Sequence, residues 1–212
     1  MGRNWLRWAD RFGVAVGYTV ALGAGTALLH ARPRPERDAW LDWASTNLAN
    51  APHHPIGALV VSALLTDGDL RGWLVLSLVG LGTLGWRFGA WRTATLVFAA
   101  HVIGTVISEG VLGIRIASGT VPRTELHIRD IGPSYVVVAA LVAGVVYGPW
   151  LAKLPCALGF AVVAPSLFGG LFQLVVSSVG HVCAIAVALL LGGLFSWRRR
   201  TAGATVGPPA DL

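Results

Sequence analysis

Asp130-Ile131-Gly132-Pro133-Ser134-Tyr135 opens one apolar segment of this 212-residue chain, and Gly180-His181 lies inside the last such segment. Each stretch places a reactive side chain, Ser134 or His181, where apolar side chains are the rule. Histidine is rare in such segments and is often functional there, whereas a lone serine is more often a small packing residue. The arrangement of the apolar segments decides whether the two side chains can meet.

The composition indicates an integral membrane protein. Hydrophobic residues make up 55% of the chain and charged residues 12%, which is about half the charged share of a water-soluble domain. The net charge of +6 comes from arginines at the ends of apolar runs, where basic residues set membrane orientation. We therefore expect no nucleic-acid partner. Cys156 and Cys183 lie in apolar segments without C-x-x-C spacing, so they predict no disulfide framework and no zinc site.

Six apolar segments are predicted to cross the lipid bilayer as helices. A hydrocarbon core about 30 Å thick requires about 20 residues of helix, and most of these segments come close to that length. The predicted spans are residues 12–30, 72–88, 91–112, Ser134–Tyr147, Trp150–Phe168 and 171–197. A cleaved signal peptide is the alternative for the first segment, although its apolar run exceeds a typical signal-peptide core. The sequence thus predicts an all-α, polytopic membrane protein with a six-helix bundle.

Residues 31–70 cannot form a simple span. The apolar run at residues 55–66 is too short to cross a bilayer, and Trp40 and Trp43 suit the membrane interface. We therefore expect a half-inserted extracytoplasmic loop after the first span.

The rest of the organisation follows from the spans. Residues 1–200 are predicted to form one transmembrane domain, and residues 201–212 a disordered cytoplasmic tail. An even number of spans puts both arginine-rich termini on one side, which the positive-inside rule predicts to be the cytoplasmic side of the cell membrane.

In this topology the fourth and sixth spans both enter the membrane from its outer face. Ser134 then lies at the top of its helix, and His181 lies about 15 Å into its own helix at 1.5 Å per residue. A serine hydroxyl becomes a nucleophile when an adjacent base takes its proton, and histidine is the usual base. Small residues follow both side chains at helical spacing, which would let the two helices approach closely. Ser134 and His181 are therefore candidates for a catalytic dyad.

The order of these parts resembles that of the rhomboid intramembrane serine proteases and their inactive relatives. The resemblance rests on the long half-inserted loop, a Gly-His-x-x-Ala pattern at Gly180-His181, the match of Gly132-Pro133-Ser134 to the family motif G-x-S-G at three positions, and the turn Gly82-x-x-Gly85-x-x-x-Gly89-x-x-Arg92. It implies that Ser134 attacks the scissile carbonyl and that His181 acts as general base and then as general acid. It also implies single-span membrane proteins as substrates, with no cofactor.

The sequence departs from the family pattern at several positions. Tyr135 stands where the motif has its second glycine, and Pro133 directly precedes the serine, as in the inactive group. The H-x-x-x-N motif that supplies oxyanion donors in the second span is not visible, so Arg71, Ser77 and His127 are the candidate donors. The alternative is a catalytically inactive rhomboid-like protein that binds transmembrane helices in trafficking or quality control.

Other polar residues of the chain are candidates for structural, transport or metal-binding roles. His101 and Glu109 lie two turns apart on the third predicted span, which favours a structural hydrogen-bond site. A small transporter that uses these two residues and His181 is a third hypothesis. Asp130 is predicted to cap the fourth helix. The sequence contains no H-E-x-x-H motif, and His53-His54-Pro55 is a weak metal feature, so we expect no metal site.

Overall fold

The computed structural model describes the backbone of residues 2–204 and the side chains of residues 5–201. Within that range the chain is all-helical, with eight α-helices and one 3₁₀ helix. The α-helices are α1 (Gly2–His30), α2 (Arg34–Ala44), α3 (Pro55–Ser62), α4 (Leu70–Phe88), α5 (Ala90–Ala117), α6 (Ser134–Tyr147), α7 (Trp150–Phe168) and α8 (Val176–Ala204). The 3₁₀ helix, Arg123–His127, lies between α5 and α6.

Four helices are long and apolar enough to cross a membrane by length and composition. They are α5, α7, the Trp5–His30 part of α1 and the Val176–Thr201 part of α8. The prediction of an all-α, multi-pass membrane protein is therefore confirmed. Helix α4 has 19 residues and α6 has 14, and their crossing of the bilayer stays a prediction.

The helix bounds agree closely with the predicted spans in the middle of the chain. The fourth and fifth predicted spans coincide with α6 and α7, and the second and third lie within α4 and α5. The sixth was placed too early, because α8 begins at Val176 and not at residue 171. The residues before it form turns, in which Leu174 has a φ of +55° and the Val175 N–H bonds to the Gly170 carbonyl.

The last helix also bears on the predicted tail. Helix α8 continues to Ala204, so residues 201–204, which were predicted to be disordered, are helical. Residues 205–212 lie outside the described part of the chain.

Helix α6 is the centre of the bundle. It packs against α4, α5, α7 and α8, and every residue from 135 to 141 is less than 5% exposed. A helix that is apolar all round is buried all round. The polar residues at the start of α6 are therefore held by packing from several neighbouring helices.

Both described ends of the chain lie at one end of the bundle, which we call the termini end. The Asp10 carboxylate accepts a hydrogen bond from the Ala90 N–H at 3.1 Å, and the Arg199 guanidinium donates to the Arg87 carbonyl. The turn between α4 and α5 is made by Gly89, whose φ of +83° favours glycine. The start of α1, the α4–α5 turn and the end of α8 are thereby joined.

The opposite end, which we call the loop end, carries α2, α3, the 3₁₀ helix and the start of α6. The residues that lead into α6 are tied to the segment between α2 and α3 and to the end of α3. The Thr46 N–H donates to the Asp130 carbonyl at 3.0 Å, and the Gly132 N–H donates to the Ser62 carbonyl at 3.0 Å. Residues 31–70 thus form a structured cover over the start of α6. Its half-insertion into the membrane stays a prediction.

Candidate functional site

The predicted serine motif enters α6 through an abrupt bend. Gly132 has a φ of +140°, a conformation that side-chain-bearing residues rarely adopt. Pro133 follows as the residue that precedes the helix, and Ser134 and Tyr135 form its first turn. Successive residues of a helix point about 100° apart, at 3.6 residues per turn. Ser134 and Tyr135 therefore point in different directions, and Ser134 is half-buried while Tyr135 is 3% exposed.

Tyr135 lies between the two histidines of the membrane region. Its ring meets the His181 ring edge-on, with centroids 4.9 Å apart and planes at 82°. The His101 ring lies on another side, with its centroid 6.0 Å from that of Tyr135. The Tyr135 hydroxyl donates to Asp130 Oδ2 at 3.1 Å. Tyr135 is thus the side chain of the serine motif that contacts His181.

Gly180 makes room for this tyrosine. A Cβ at position 180 would overlap the Tyr135 hydroxyl and ring, so residue 180 has no space for a side chain while Tyr135 keeps its position. The two residues of the predicted Gly-His pair on α8 therefore have different roles. Gly180 leaves the space that the Tyr135 ring fills, and His181 contacts that ring.

His181 is deeply buried and only partly hydrogen-bonded. Its Nδ1 pairs with the Leu167 carbonyl at 3.2 Å, whereas its Nε2 is buried without a hydrogen-bond partner among the described residues. Neither nitrogen is hydrogen-bonded to Ser134. The structure thus brings His181 to the first turn of α6, where its ring packs against Tyr135 and forms no hydrogen bond with the Ser134 hydroxyl.

The three predicted oxyanion donors lie on α4 and on the 3₁₀ helix. The Ser77 hydroxyl is buried and donates to the Trp73 carbonyl at 2.7 Å, the back-bond that a helical serine commonly makes. Arg71 in the first turn of α4 and His127 at the end of the 3₁₀ helix are exposed. Within the described residues, none of the three is hydrogen-bonded to Ser134 or His181.

Asp130 belongs to a network that the sequence did not predict. Its carboxylate accepts from the Tyr135 hydroxyl and, at 3.4 Å, from the Thr46 hydroxyl. Its backbone N–H donates to Ser45 Oγ at 2.9 Å. The prediction that Asp130 caps α6 is wrong, because Pro133 occupies the cap position and no side chain caps the helix. Burial raises the pKa of Asp130 to about 6, and the two hydrogen bonds oppose that rise.

His101 and Glu109 do not pair with each other. His101 Nε2 pairs with the Leu59 carbonyl at 2.8 Å, which ties α5 to α3. Both carboxylate oxygens of Glu109 are buried without a hydrogen-bond partner among the described residues. Glu109 lines a mostly apolar cavity of about 240 Å³ beneath the segment between α2 and α3. In the described part of the chain, no group of three or more His, Cys, Asp or Glu side chains could hold a metal ion.

The contacts of Tyr135 are what sequence reasoning missed, although the residue itself was noted as a departure from the family motif. A signal for them existed in the motif itself, because a tyrosine in the place of the second glycine requires space that a neighbouring helix must provide. Gly180, directly before His181, provides it. The contributions of Ser45 and Thr46 had no local signal.

The comparison with known families agrees with this architecture. The model of the rhomboid-like protein family matches residues 9–200 of the chain. No curated protein and no solved structure matches it. The matched region contains α1 from Ala9 through almost all of α8, including the first turn of α6 and Gly180-His181. The chain therefore belongs to the rhomboid-like protein family.

Proposed function

We propose that this rhomboid-like protein binds the membrane-spanning helices of other proteins without cleaving them. The observation that carries the proposal is the contact of the Tyr135 ring with His181. A general base must come within hydrogen-bond reach of the proton that it removes. Tyr135 covers the imidazole, and its own hydroxyl is bonded to Asp130. A role in trafficking or quality control of single-span membrane proteins fits a bundle that lacks a formed dyad.

The face between α4 and α7 is the proposed docking surface for a client helix. Only 17% of the α7 span is buried, against 44% of the α5 span. Exposed apolar residues recur at helical spacing along α7, namely Leu151, Leu154, Leu158 and Val162. Two prolines inside the helix, Pro155 and Pro165, interrupt its hydrogen-bond ladder. A helix with few buried residues and an apolar outer stripe can exchange its contacts with lipid for contacts with a second apolar helix.

Labelling with a fluorophosphonate probe tests the absence of catalysis. We expect the wild type in detergent micelles to react no more than Ser134→Ala, because no base is hydrogen-bonded to the Ser134 hydroxyl. A purified serine hydrolase in the same micelles serves as the positive control. Labelling of the wild type that disappears in Ser134→Ala would overturn the proposal.

Site-specific photo-crosslinking tests the docking surface. A photoreactive amino acid is introduced at Leu158 on α7 or at Phe98 on α5, two positions of matched exposure at 59% and 61%. We expect single-span membrane proteins to crosslink more strongly at position 158 than at position 98, and equally in a Ser134→Ala background. Equal crosslinking at both positions would contradict the assignment of the α4–α7 face.

A Ser134–His181 peptidase is the second candidate, and one observation favours it. His181 Nε2 is buried without a hydrogen-bond partner in the part of the chain that the structure describes, so a basic nitrogen remains for a hydroxyl if the Tyr135 ring moves away. Arg71 or His127 would then have to supply the oxyanion contact. Tyr135→Gly restores the family motif and tests this candidate: labelling that appears in this variant and requires both Ser134 and His181 would favour the peptidase.

We also propose six spans, with α4 and α6 included, and both termini in the cytoplasm. Nine of the sixteen basic residues lie towards the termini end, and the five ion pairs of the described residues lie at the loop end. This asymmetry supports a cytoplasmic termini end. A fluorescent protein fused after Leu212 should fluoresce, and a secreted alkaline phosphatase fused there should be inactive. The reverse pattern would contradict the orientation.

A further inference from the structure

A second cavity lies at the termini end, far along the helices from the serine motif. It has a volume of about 470 Å³ and opens between the end of α4, the α6–α7 turn and the end of α8. Three basic side chains line it: Arg87 from α4, Lys153 from α7 and Arg200 from α8. Lys153 is the only lysine of the chain. Three helices that are far apart in sequence therefore direct positive charge to one place.

Among residues 5–201, these charges have no acidic partner. No Asp or Glu lines the cavity, and none of the ion pairs found within residues 5–201 includes any of the three basic residues. Arg87 Nε donates to the Tyr147 carbonyl at 2.9 Å, which uses one of its five N–H donors. The Lys153 ammonium has only a 3.4 Å contact with the Val146 carbonyl. Most donors of the cluster thus remain for a ligand, and like charges held together favour an anion.

Ser196 is an independent sign of a ligand. This residue lines the same cavity, is 9% exposed, and its hydroxyl has no hydrogen-bond partner among the described residues. A buried hydroxyl usually bonds to a carbonyl of its own helix or to a neighbour. A hydroxyl donor beside three cationic groups suits the oxygens of a phosphate.

The position of the cavity indicates where the phosphate comes from. Trp197, 62% exposed, borders the cavity, and tryptophan is enriched where membrane helices meet the headgroup layer. Basic pockets between membrane helices bind the headgroups of anionic lipids. We propose that Arg87, Lys153, Ser196 and Arg200 form a binding site for the phosphate headgroup of an anionic phospholipid, in the leaflet that the termini end faces.

Lipid titration of the purified full-length protein tests the site. Thermal unfolding in neutral detergent micelles is followed by tryptophan fluorescence while dioleoylphosphatidylglycerol, dioleoylphosphatidylcholine or inorganic phosphate is added. We expect phosphatidylglycerol to raise the melting temperature in a saturable way, and the other two to have little effect at the same concentration.

Variants distinguish lipid binding in this cavity from general attraction to the basic charge of the termini end. Lys153→Gln/Arg200→Gln should weaken the apparent affinity about thirtyfold, because each basic contact with an anionic headgroup contributes to binding. Ser196→Ala changes no charge and removes a hydroxyl without a partner, so the protein should stay folded while affinity falls about tenfold. The matched control is Arg92→Gln, an exposed arginine of the same bundle end that does not line the cavity, and its affinity should not change.

Three results would overturn the proposal. Weakening by Arg92→Gln of about fivefold, which is half of the double variant's effect in free energy, would mean diffuse attraction and no site. Equal stabilisation by phosphatidylcholine would exclude recognition of the headgroup charge. Stabilisation by inorganic phosphate at the concentration of the lipid would assign the cavity to a soluble anion and not to a lipid.

Discussion

The Tyr135 ring stands edge-on to the His181 ring, with the centroids 4.9 Å apart, and it fits there because Gly180 leaves the space for it. One tyrosine therefore joins α6 to α8 and, through Asp130, to the cover at the loop end. The same ring occupies the side of the imidazole that faces the first turn of α6. The first two predictions concern this contact.

Truncation of Tyr135 should destabilise the bundle. Tyr135→Ala removes a fully buried aromatic ring and should lower the free energy of unfolding by about 3–5 kcal/mol. Tyr135→Phe keeps the ring and loses the hydrogen bond to Asp130, so we expect a loss of about 1–2 kcal/mol. Unfolding in mixed micelles with increasing denaturing detergent measures both. Equal losses in the two variants would mean that the hydroxyl, and not the ring, is the main contribution.

The fit between Gly180 and Tyr135 predicts strong coupling. Gly180→Ala should cost about 1–3 kcal/mol in the wild type, because the added methyl group overlaps Tyr135. The same change in a Tyr135→Ala background should cost little, because the space is then open. A double-mutant cycle with these four proteins measures the coupling energy. Additive losses would show that the two residues do not share the space.

The raised pKa of Asp130 predicts a pH dependence of stability. Its pKa is about 6 in the folded protein and about 3.9 in an unfolded chain. Between these values the folded state binds the proton more tightly, so stability should rise as the pH falls from 7 towards 4 and fall as the pH rises through 6. We expect a gain on the order of 2 kcal/mol for a partly buried group.

Asp130→Asn isolates this contribution. The difference in unfolding free energy between pH 7 and pH 5 should be smaller in this variant than in the wild type. Asp38→Asn, at an aspartate of the same bundle end whose side chain is 46% exposed, should keep the difference of the wild type. An unchanged pH profile in Asp130→Asn would show that other groups cause the dependence.

Two glycines on α4 should respond differently to the same substitution. A Cβ at Gly85 would overlap the Arg11 carbonyl oxygen of α1, whereas a Cβ at Gly82 has no atom within 4 Å. We expect Gly85→Ala to separate α1 from α4 and to cost at least about 2 kcal/mol. Gly82→Ala should be neutral or stabilising by up to about 1 kcal/mol, because alanine is the better helix former. Thermal unfolding of both variants in the same detergent makes the comparison.

Much of the architecture followed from local properties of the sequence. The length and apolarity of each segment predicted the spans, and α6 and α7 begin and end at the predicted residues because Pro133, Gly148 and Pro149 mark their ends. The composition predicted a membrane protein, and the glycine turn, the serine motif and Gly180-His181 predicted the family. These signals are local, since the bilayer and the backbone impose them on each segment separately.

The side-chain partners within the candidate site were decided only by the tertiary structure. Helix α6 is apolar on every face, so its sequence contains no polar stripe that would fix its rotation about its own axis. Whether Ser134 or Tyr135 faces α8 therefore depends on how the four helices around α6 pack. The same holds for Asp130, whose partners Ser45 and Thr46 lie 85 and 84 residues away in the chain. The sequence by itself determined which segments form long apolar helices, and packing around α6 determined which side chain lies against His181.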